Sequence, residues 1–295
     1  MDHKALIQSL SPDLRADLTE RSNRAGLVHL CGHLGVIGAC TTILLYGPAL
    51  CWIALPVQGI ALTFLFTLEH EATHKTPFES PMLNETVGRL AGLVLILPFE
   101  WFRYFHLAHH KYTNLPGQDP ELDGAKPMTR QQWAFHVSGL PYWGSQSRLV
   151  LALALRRPID ARYIPPSALP RIRREAQAML ALYAAAGMSL FWSPLVLWLW
   201  ILPMILGQPF LRLYLLAEHG DCPTVSNMLE NSRTTFTNQI IRFFAWNMPY
   251  HAEHHSYPAV PFHKLPALNA VLRQNLRTTA TGYAAFTKAY LARRP

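Results

Sequence analysis

Two long stretches of the chain, residues 25–68 and 176–211, contain no charged residue. A helix needs about 20 apolar residues to cross a bilayer, so each stretch is long enough for a pair of spans. Gly47-Pro48 interrupts the first stretch and Trp192-Ser193-Pro194 interrupts the second, as expected at a turn between helices. The pattern therefore predicts two membrane hairpins. Their four crossings are expected at 27–46, 49–68, 176–192 and 195–213.

A weaker apolar segment, residues 90–98, is too short to cross a membrane, and we expect it at the interface or against the bundle. About two dozen polar and charged residues precede the first span, which does not fit a cleavable signal peptide. We therefore expect the first hairpin to serve as its own insertion signal.

The charged residues set the expected orientation. The chain carries a formal net charge of +8, and its Lys and Arg residues lie before the first span, in the central segment and in the C-terminal segment. The hairpin connections, residues 46–49 and 191–195, carry none. By the positive-inside rule, both ends and the central segment face the cytoplasm. Anionic lipid headgroups are the expected counterpart of this charge, and no nucleic-acid partner is predicted because no recognised binding motif accompanies it.

Eight of the 14 histidines fall in three tight groups. The first group has the spacing H-x-x-x-H and follows the second predicted span, while the other two share the spacing H-x-x-H-H. The groups are His70 and His74; His106, His109 and His110; and His251, His254 and His255. Spacings of three and four residues place side chains on one face of a helix, so each group can direct its imidazoles toward one point.

So many imidazoles exceed what one metal ion needs. Zinc is satisfied by four ligands, so the surplus predicts two metal ions that share a site. Nitrogen ligands without a thiolate favour redox-active iron that uses O2, and the membrane offers unactivated C–H bonds in acyl chains. Hydrolysis is less favoured, because two-metal hydrolytic sites usually include bridging carboxylates. The four cysteines form no C-x-x-C pair, which predicts neither an iron–sulfur cluster nor a disulfide framework.

Further residues can join or support this site. His219, at the end of the fourth predicted span, can reach the same place, and Asn247 lies four residues before His251 as a candidate weak ligand. Metal-bound imidazoles usually donate their second N–H to a carboxylate or carbonyl, and we expect one or two of five carboxylates to accept it. The five are Glu69, Glu71, Asp119, Asp123 and Glu253. His29, His33 and His136 are instead expected to be ordinary hydrogen-bonded residues.

The three histidine groups resemble those of the membrane fatty acid desaturase and hydroxylase superfamily, in the same order and with a membrane hairpin before the third. The resemblance extends from the first span to about Pro266. It implies an all-α membrane helical bundle with about four transmembrane helices and a cytoplasmic histidine-rich cap, in a single domain over residues 1–295. It also implies a non-haem di-iron centre, and His219 and Asn247 look like the family's additional ligand positions.

The resemblance further implies an O2-dependent oxidoreductase that acts on a lipid or acyl substrate. Neither a cytochrome b5-like HPGG segment nor a ferredoxin-type cysteine set is found, so the chain is similar to members that take electrons from a separate donor, such as ferredoxin or cytochrome b5. Acyl-chain desaturation is the leading hypothesis. A hydroxylase or ketolase of a lipid or carotenoid, and a metal transporter, remain the alternatives.

Overall fold

The structure is a computed structural model that describes residues 2–124 and 126–295. Within these residues the chain forms sixteen α-helices and one two-stranded parallel pairing. The first eight helices are α1 His3–Ser9, α2 Pro12–Leu18, α3 Asn23–Tyr46, α4 Cys51–Thr63, α5 Leu65–His74, α6 Pro81–Leu95, α7 Phe99–Tyr112 and α8 Arg130–Val137. The others are α9 Leu140–Ala154, α10 Leu169–Ser189, α11 Leu202–His219, α12 Met228–Asn231, α13 Gln239–Phe244, α14 His251–Ser256, α15 Leu265–Leu272 and α16 Tyr283–Ala292. The strands are β1 Thr234–Thr235 and β2 Thr279–Ala280.

The long apolar helices confirm the prediction of an all-α membrane bundle. Within the described residues, three helical segments are long and apolar enough to cross a membrane: Pro12–Tyr46, Pro48–His74 and Leu197–His219. The pair α6 and α7, bent by 99° at the break between them, would make a fourth if the pair counts as one span. Most of the predicted span 176–192 lies on α10, which ends at Ser189 and is not among the three segments. That span stays a prediction.

The tips of the two predicted hairpins lie side by side. The indole of Trp198, just after the second tip, donates a hydrogen bond to the carbonyl of Leu44, just before the first, at 3.2 Å. Both tips present aromatic side chains outward, and Trp52 and Phe191 are 77% and 87% exposed. Exposed aromatic residues without charges are typical of a membrane–water interface. The histidine-bearing ends of α5 and α11 are therefore at the opposite end of the bundle.

Two glycines bring α4 and α11 into backbone contact. A Cβ on Gly59 would collide with the carbonyl of Pro203, and one on Gly207 would collide with the carbonyl of Gly59. Close approach at small residues is a common packing mode between membrane helices. This contact fixes the two long spans whose far ends carry His74 and His219.

The end of α6 lies inside the bundle and is capped by aromatic side chains. Its last carbonyls have no partner within the helix, and apolar surroundings offer no water to replace one. Tyr183 donates a hydrogen bond to the carbonyl of Leu93 at 2.7 Å. Trp200 donates one to the carbonyl of Val94 at 2.9 Å, and Tyr142 donates one to the carbonyl of Leu95 at 2.8 Å. Segment 90–98 thus packs against the bundle, as the sequence analysis allowed.

One hydrophobic core joins the spans to the segment that carries the third histidine group. Leu68 of α5, Leu211 of α11 and Leu265 of α15 are fully buried in the same cluster. Trp246 and Met248, just before α14, are also fully buried in it. The core therefore holds α14 against the ends of α5 and α11, where the histidines lie.

Candidate metal centre

The three histidine groups lie on three helices, as their spacing predicted. The first group lies at the end of α5, which stops after His74 because Lys75 adopts the left-handed conformation with φ 59°. The second lies on α7, and the third lies on α14. All eight residues are buried except His74, which is half-buried.

Five of these imidazoles, taken from all three groups, form one compact set, which we call the five-histidine cluster. One ligand nitrogen from each member lies within 4.8 Å of those of the others. The closest approach joins the Nε2 atoms of His74 and His106, at 2.8 Å. The members are His70, His74, His106, His110 and His254.

The remaining imidazoles form a second set beside the first. The ligand nitrogens of His109, His219 and His255 lie within 4.8 Å of one another, and we call these residues the three-histidine cluster. The Nε2 atom of His219 is 3.1 Å from that of His109 and 2.9 Å from that of His251. His219 thus lies where the sequence analysis placed it, and His251 adjoins this cluster.

The residues present fit two imidazole-bound metal ions. Two nitrogens that bind one metal at about 2.0–2.1 Å and at right angles lie about 2.9 Å apart, close to the 2.8–3.1 Å distances above. Among the described residues, both ring nitrogens of His70, His110 and His254 are buried without a hydrogen-bond partner. Buried polar atoms are normally paired, and a bound metal ion would take up one nitrogen of each of these rings.

Several imidazoles have a partner for the second nitrogen. Asp119 accepts from the Nδ1 atom of His109 at 2.9 Å. Burial alone would raise the pKa of Asp119, but hydrogen bonds from His109 and from backbone amides outweigh it and lower the pKa. The Nδ1 atom of His254 lies 3.7 Å from a carboxylate oxygen of Glu71. Of the five predicted carboxylates, Asp119 therefore forms a hydrogen bond with a histidine of the site, whereas Glu71 lies near His254 at a distance too long for a hydrogen bond.

The other three do not pair with a histidine in this structure. Glu253 accepts hydrogen bonds from Thr234 and Asn269, and burial raises its pKa despite them. Among the described residues, both carboxylate oxygens of Glu69 are buried without a partner, and Asp123 is exposed.

Asn247 uses its amide elsewhere. Its Oδ1 atom accepts from the guanidinium of Arg242 at 3.0 Å, and its Nδ2 atom donates to the carbonyl of Phe262 at 3.0 Å. Because both of its polar atoms are already paired, this geometry gives no support to Asn247 as a ligand. That role stays a prediction.

Four supporting residues were missed by the sequence analysis. One of them is Glu121, whose carboxylate lies 3.1 Å from the Nδ1 atom of His109. The carboxylate of Glu218 lies 3.2 Å from the Nδ1 atom of His251. The hydroxyl of Thr113 lies 3.1 Å from the Nδ1 atom of His255. The backbone carbonyl of Asn231 lies 3.1 Å from the Nδ1 atom of His219. Glu218 adjoins His219 in the sequence, which was a usable signal. A backbone carbonyl or a threonine carries no such signal, because its role depends on where distant segments meet.

The isolated histidines behave as expected. His33 accepts from the indole of Trp246 and lies 2.8 Å from the carbonyl of Ala61. His29 lies 2.8 Å from the carbonyl of Phe243. Both are therefore packed and hydrogen-bonded away from the clusters, and the pattern that separated grouped from isolated histidines is confirmed for them.

A cavity of about 500 Å³ leads from the surface to the two clusters. His110 of the five-histidine cluster and His255 of the three-histidine cluster line it, and so do Lys4 and Lys111. Helix α1 contributes Ile7 to the same wall. The centre is therefore reachable from the side that carries α1.

Comparison with known proteins places these residues in a family context. A family model described as fatty acid desaturase matches residues 43–287. The chain is 24% identical over 249 residues to a chloroplastic omega-6 fatty acid desaturase of Brassica napus, which covers 76% of this chain and 55% of the relative. It is 26% identical over 221 residues to the sphingolipid delta(4)-desaturase DES1 of Drosophila melanogaster, covering 73% and 64%. An 87-residue segment is 36% identical to an sn-1 oleoyl-lipid 12-desaturase of Arthrospira platensis, covering 28% and 24%. The chain spans about half the length of the plant relatives.

Proposed function

Because the chain belongs to the fatty acid desaturase family, we propose that it catalyses the O2-dependent desaturation of a lipid acyl chain at a histidine-ligated di-iron centre. The observation that carries this proposal is the convergence of nine buried or half-buried histidines, eight of them in two adjacent clusters and His251 beside the second cluster. Donors of this type suit iron, and family membership favours lipid oxidation over other uses of such a centre.

Each cluster would hold one iron. The five-histidine cluster would hold the first, and the three-histidine cluster with His251 would hold the second. Bound iron would supply an oxidant able to remove hydrogen from an unactivated C–H bond. In the overall reaction the acyl chain gives up two hydrogens, a donor gives two electrons and the solvent gives two protons, while O2 is reduced to two water molecules.

The surrounding residues prepare the histidines for this task. Asp119, by accepting from the Nδ1 atom of His109, fixes the tautomer that leaves Nε2 free to bind metal. Glu218 is placed to do the same for His251. Burial of the imidazoles favours their neutral form, which is the form that binds metal.

We also propose that the centre faces the cytoplasm and takes electrons from a separate protein. The hairpin connections carry no Lys or Arg and lie at the opposite end of the bundle from the histidines, so the positive-inside rule favours a cytoplasmic position for the histidine end. The cavity that reaches His110 and His255 offers access to the centre. Ferredoxin and cytochrome b5 are the donor classes to test.

The decisive experiment is lipid mass analysis of cells that express the chain with iron and a competent donor. We expect acyl chains that are lighter by two hydrogens, and none in cells that express His254→Ala. A gain of oxygen would instead identify a hydroxylase or ketolase. Unchanged lipids in the presence of an intact iron site would contradict the proposal. If the protein then carried metal ions into sealed vesicles, it would be identified as a transporter.

A further inference from the structure

A second cavity, of about 490 Å³, lies on the opposite side of α7 from the histidines. Tyr104 and Lys111 line it, and they share a helix face because they are seven residues apart. His106 and His109 point the other way along the same helix. Lys111, near the end of α7, also lines the cavity that reaches His110 and His255, so the two cavities adjoin at this end of the helix.

The far wall of this cavity comes from the connection between α9 and α10. Asp160, Arg162 and Tyr163 of that connection line it. The ring of Tyr163 packs against the rings of Trp101 and Phe105 of α7, with centroids 6.3 and 5.8 Å apart. Helix α10, which follows, begins with a basic turn and continues into the apolar stretch. The cavity thus lies against the connection that leads into α10, the helix that carries most of the predicted span 176–192.

Part of the lining suits a cation. Three tyrosine rings, those of Tyr104, Tyr112 and Tyr163, surround the cavity together with the carboxylates of Asp123 and Asp160. The ammonium of Lys111 already lies over the ring of Tyr112, 4.9 Å from its centroid. Aromatic faces bind quaternary ammonium groups by the same cation–π attraction, and nearby carboxylates add to it.

Another part of the lining suits an anion. Lys111 and Arg162 are both exposed at the cavity, and a guanidinium binds phosphate oxygens in bidentate fashion. Among the described lining residues, the two cationic side chains are matched by two anionic ones. A polyanionic acyl carrier, such as coenzyme A or an acidic carrier protein, would meet the carboxylates of Asp123 and Asp160. A ligand with one charge of each sign pairs with both sets.

We propose that this cavity binds the headgroup of a choline phospholipid, so that the acyl chain to be oxidised arrives on an intact zwitterionic lipid. The proposal rests on the proposed function for the fate of that chain. The phosphate pairs with Arg162 and Lys111, and the quaternary ammonium lies among the tyrosines and the two carboxylates. Lys111 lines both this cavity and the one that reaches His110 and His255, so a lipid held here lies beside the opening to the two clusters.

Headgroup binding can be measured without turnover. The purified full-length chain, in detergent and without an electron donor, is titrated with lipids that carry identical acyl chains, and retained lipid is measured by native mass spectrometry. The probes are phosphatidylcholine, phosphatidylglycerol and a galactosyl diacylglycerol, with acyl-coenzyme A as the fourth. We expect phosphatidylcholine to bind about tenfold more tightly than the others. Phosphocholine, but not inorganic phosphate, should displace it.

Substitutions test the location. Asp123→Asn with Asp160→Asn should weaken phosphatidylcholine binding several-fold and favour phosphatidylglycerol, and because both carboxylates are exposed, folding should be unaffected. Asp13→Asn, an exposed carboxylate on α2 away from this cavity, is the matched control and should bind like the parent chain. Tightest binding of the galactolipid or of acyl-coenzyme A, or an unchanged preference in the double variant, would overturn the proposal.

The outcomes separate this proposal from the proposed function. Selective retention of phosphatidylcholine without formation of double bonds would refute desaturation and leave the headgroup site standing. If double bonds form at the same rate with every headgroup and in the double variant, the headgroup site is refuted and desaturation stands.

Discussion

The imidazoles of His110 and His255 stack face to face, with ring centroids 4.0 Å apart and planes inclined by only 6°. His110 belongs to the five-histidine cluster and His255 to the three-histidine cluster, so this pair joins the two. Both rings also line the cavity that opens beside α1. The pair is therefore the place where both halves of the centre meet the surface.

The division into two clusters predicts separate metal losses. His254→Ala should remove the metal of the five-histidine cluster, and His109→Ala that of the three-histidine cluster, because each loses a ligand. In either variant the iron content, measured by mass spectrometry of the purified chain, should fall from about two to about one per chain, and turnover should be lost. His136→Ala, which changes a histidine outside both clusters, should retain iron and activity. Full iron in His109→Ala would remove that residue from the centre.

Asp119 should act on metal affinity through His109. In Asp119→Asn the side-chain amide can turn its NH2 group toward the Nδ1 atom of His109. The asparagine then no longer holds His109 in the tautomer that leaves Nε2 free. Loss of such a partner typically costs 10- to 100-fold in metal affinity. Competition with a chelator measures it. Asp123→Asn, a few residues away and exposed, is the control, and an equal loss in both variants would argue against a specific role.

Glu253 should matter for stability rather than for metal binding. Its carboxylate accepts from Thr234 and Asn269, which ties α14 to β1 and α15. In Glu253→Gln the new amide NH2 group faces the donor of Thr234 or of Asn269, so one hydrogen bond is lost. We expect this loss to lower the free energy of unfolding by about 1–3 kcal/mol. Thermal unfolding in detergent should shift downward while the affinity for metal in the folded protein is kept. Weaker metal binding at unchanged stability would reassign Glu253 to the centre.

The contact between Gly59 and Gly207 should tolerate no side chain. A methyl group at Gly59 would force α4 away from α11, because backbone atoms cannot yield as a flexible side chain can. We expect Gly59→Ala to destabilise the protein by about 1–3 kcal/mol or more. Gly35→Ala on α3, where a Cβ meets nothing within 4 Å, is the matched control. Equal unfolding temperatures of the two variants would contradict this packing.

The aromatic cap of α6 should be required inside the bundle. Tyr183→Phe removes the donor to the carbonyl of Leu93 and leaves that group unpaired, which should cost about 1–3 kcal/mol. Tyr46→Phe changes an exposed tyrosine at a hairpin tip and should be neutral. The stabilities of the two variants are compared by unfolding in a denaturing detergent. An equal loss of stability in Tyr46→Phe would contradict a special role for the aromatic cap.

The sequence by itself singled out the eight grouped histidines that the structure brings together, but its spacing patterns did not include His219. Regular spacing on a helix is a local property, so the H-x-x-x-H and H-x-x-H-H patterns sufficed to separate grouped histidines from isolated ones such as His33. Apolar stretches likewise determined the membrane class, since their length is read directly from the chain. The expectation that His70 and His74 share one helix followed from their spacing and is confirmed by α5, which carries both residues.

Only the tertiary structure decided how the histidines are shared between the clusters. The second group gives His106 and His110 to one cluster and His109 to the other, and the third divides His254 from His255. Consecutive residues of a helix point about 100° apart, so neighbouring imidazoles face different directions. Which direction meets which partner depends on how α5, α7, α11 and α14 pack, and the partners of Glu71, Glu218 and Thr113 depend on it too. Such contacts join residues that are far apart in the chain, so they cannot be predicted from the local spacing of histidines.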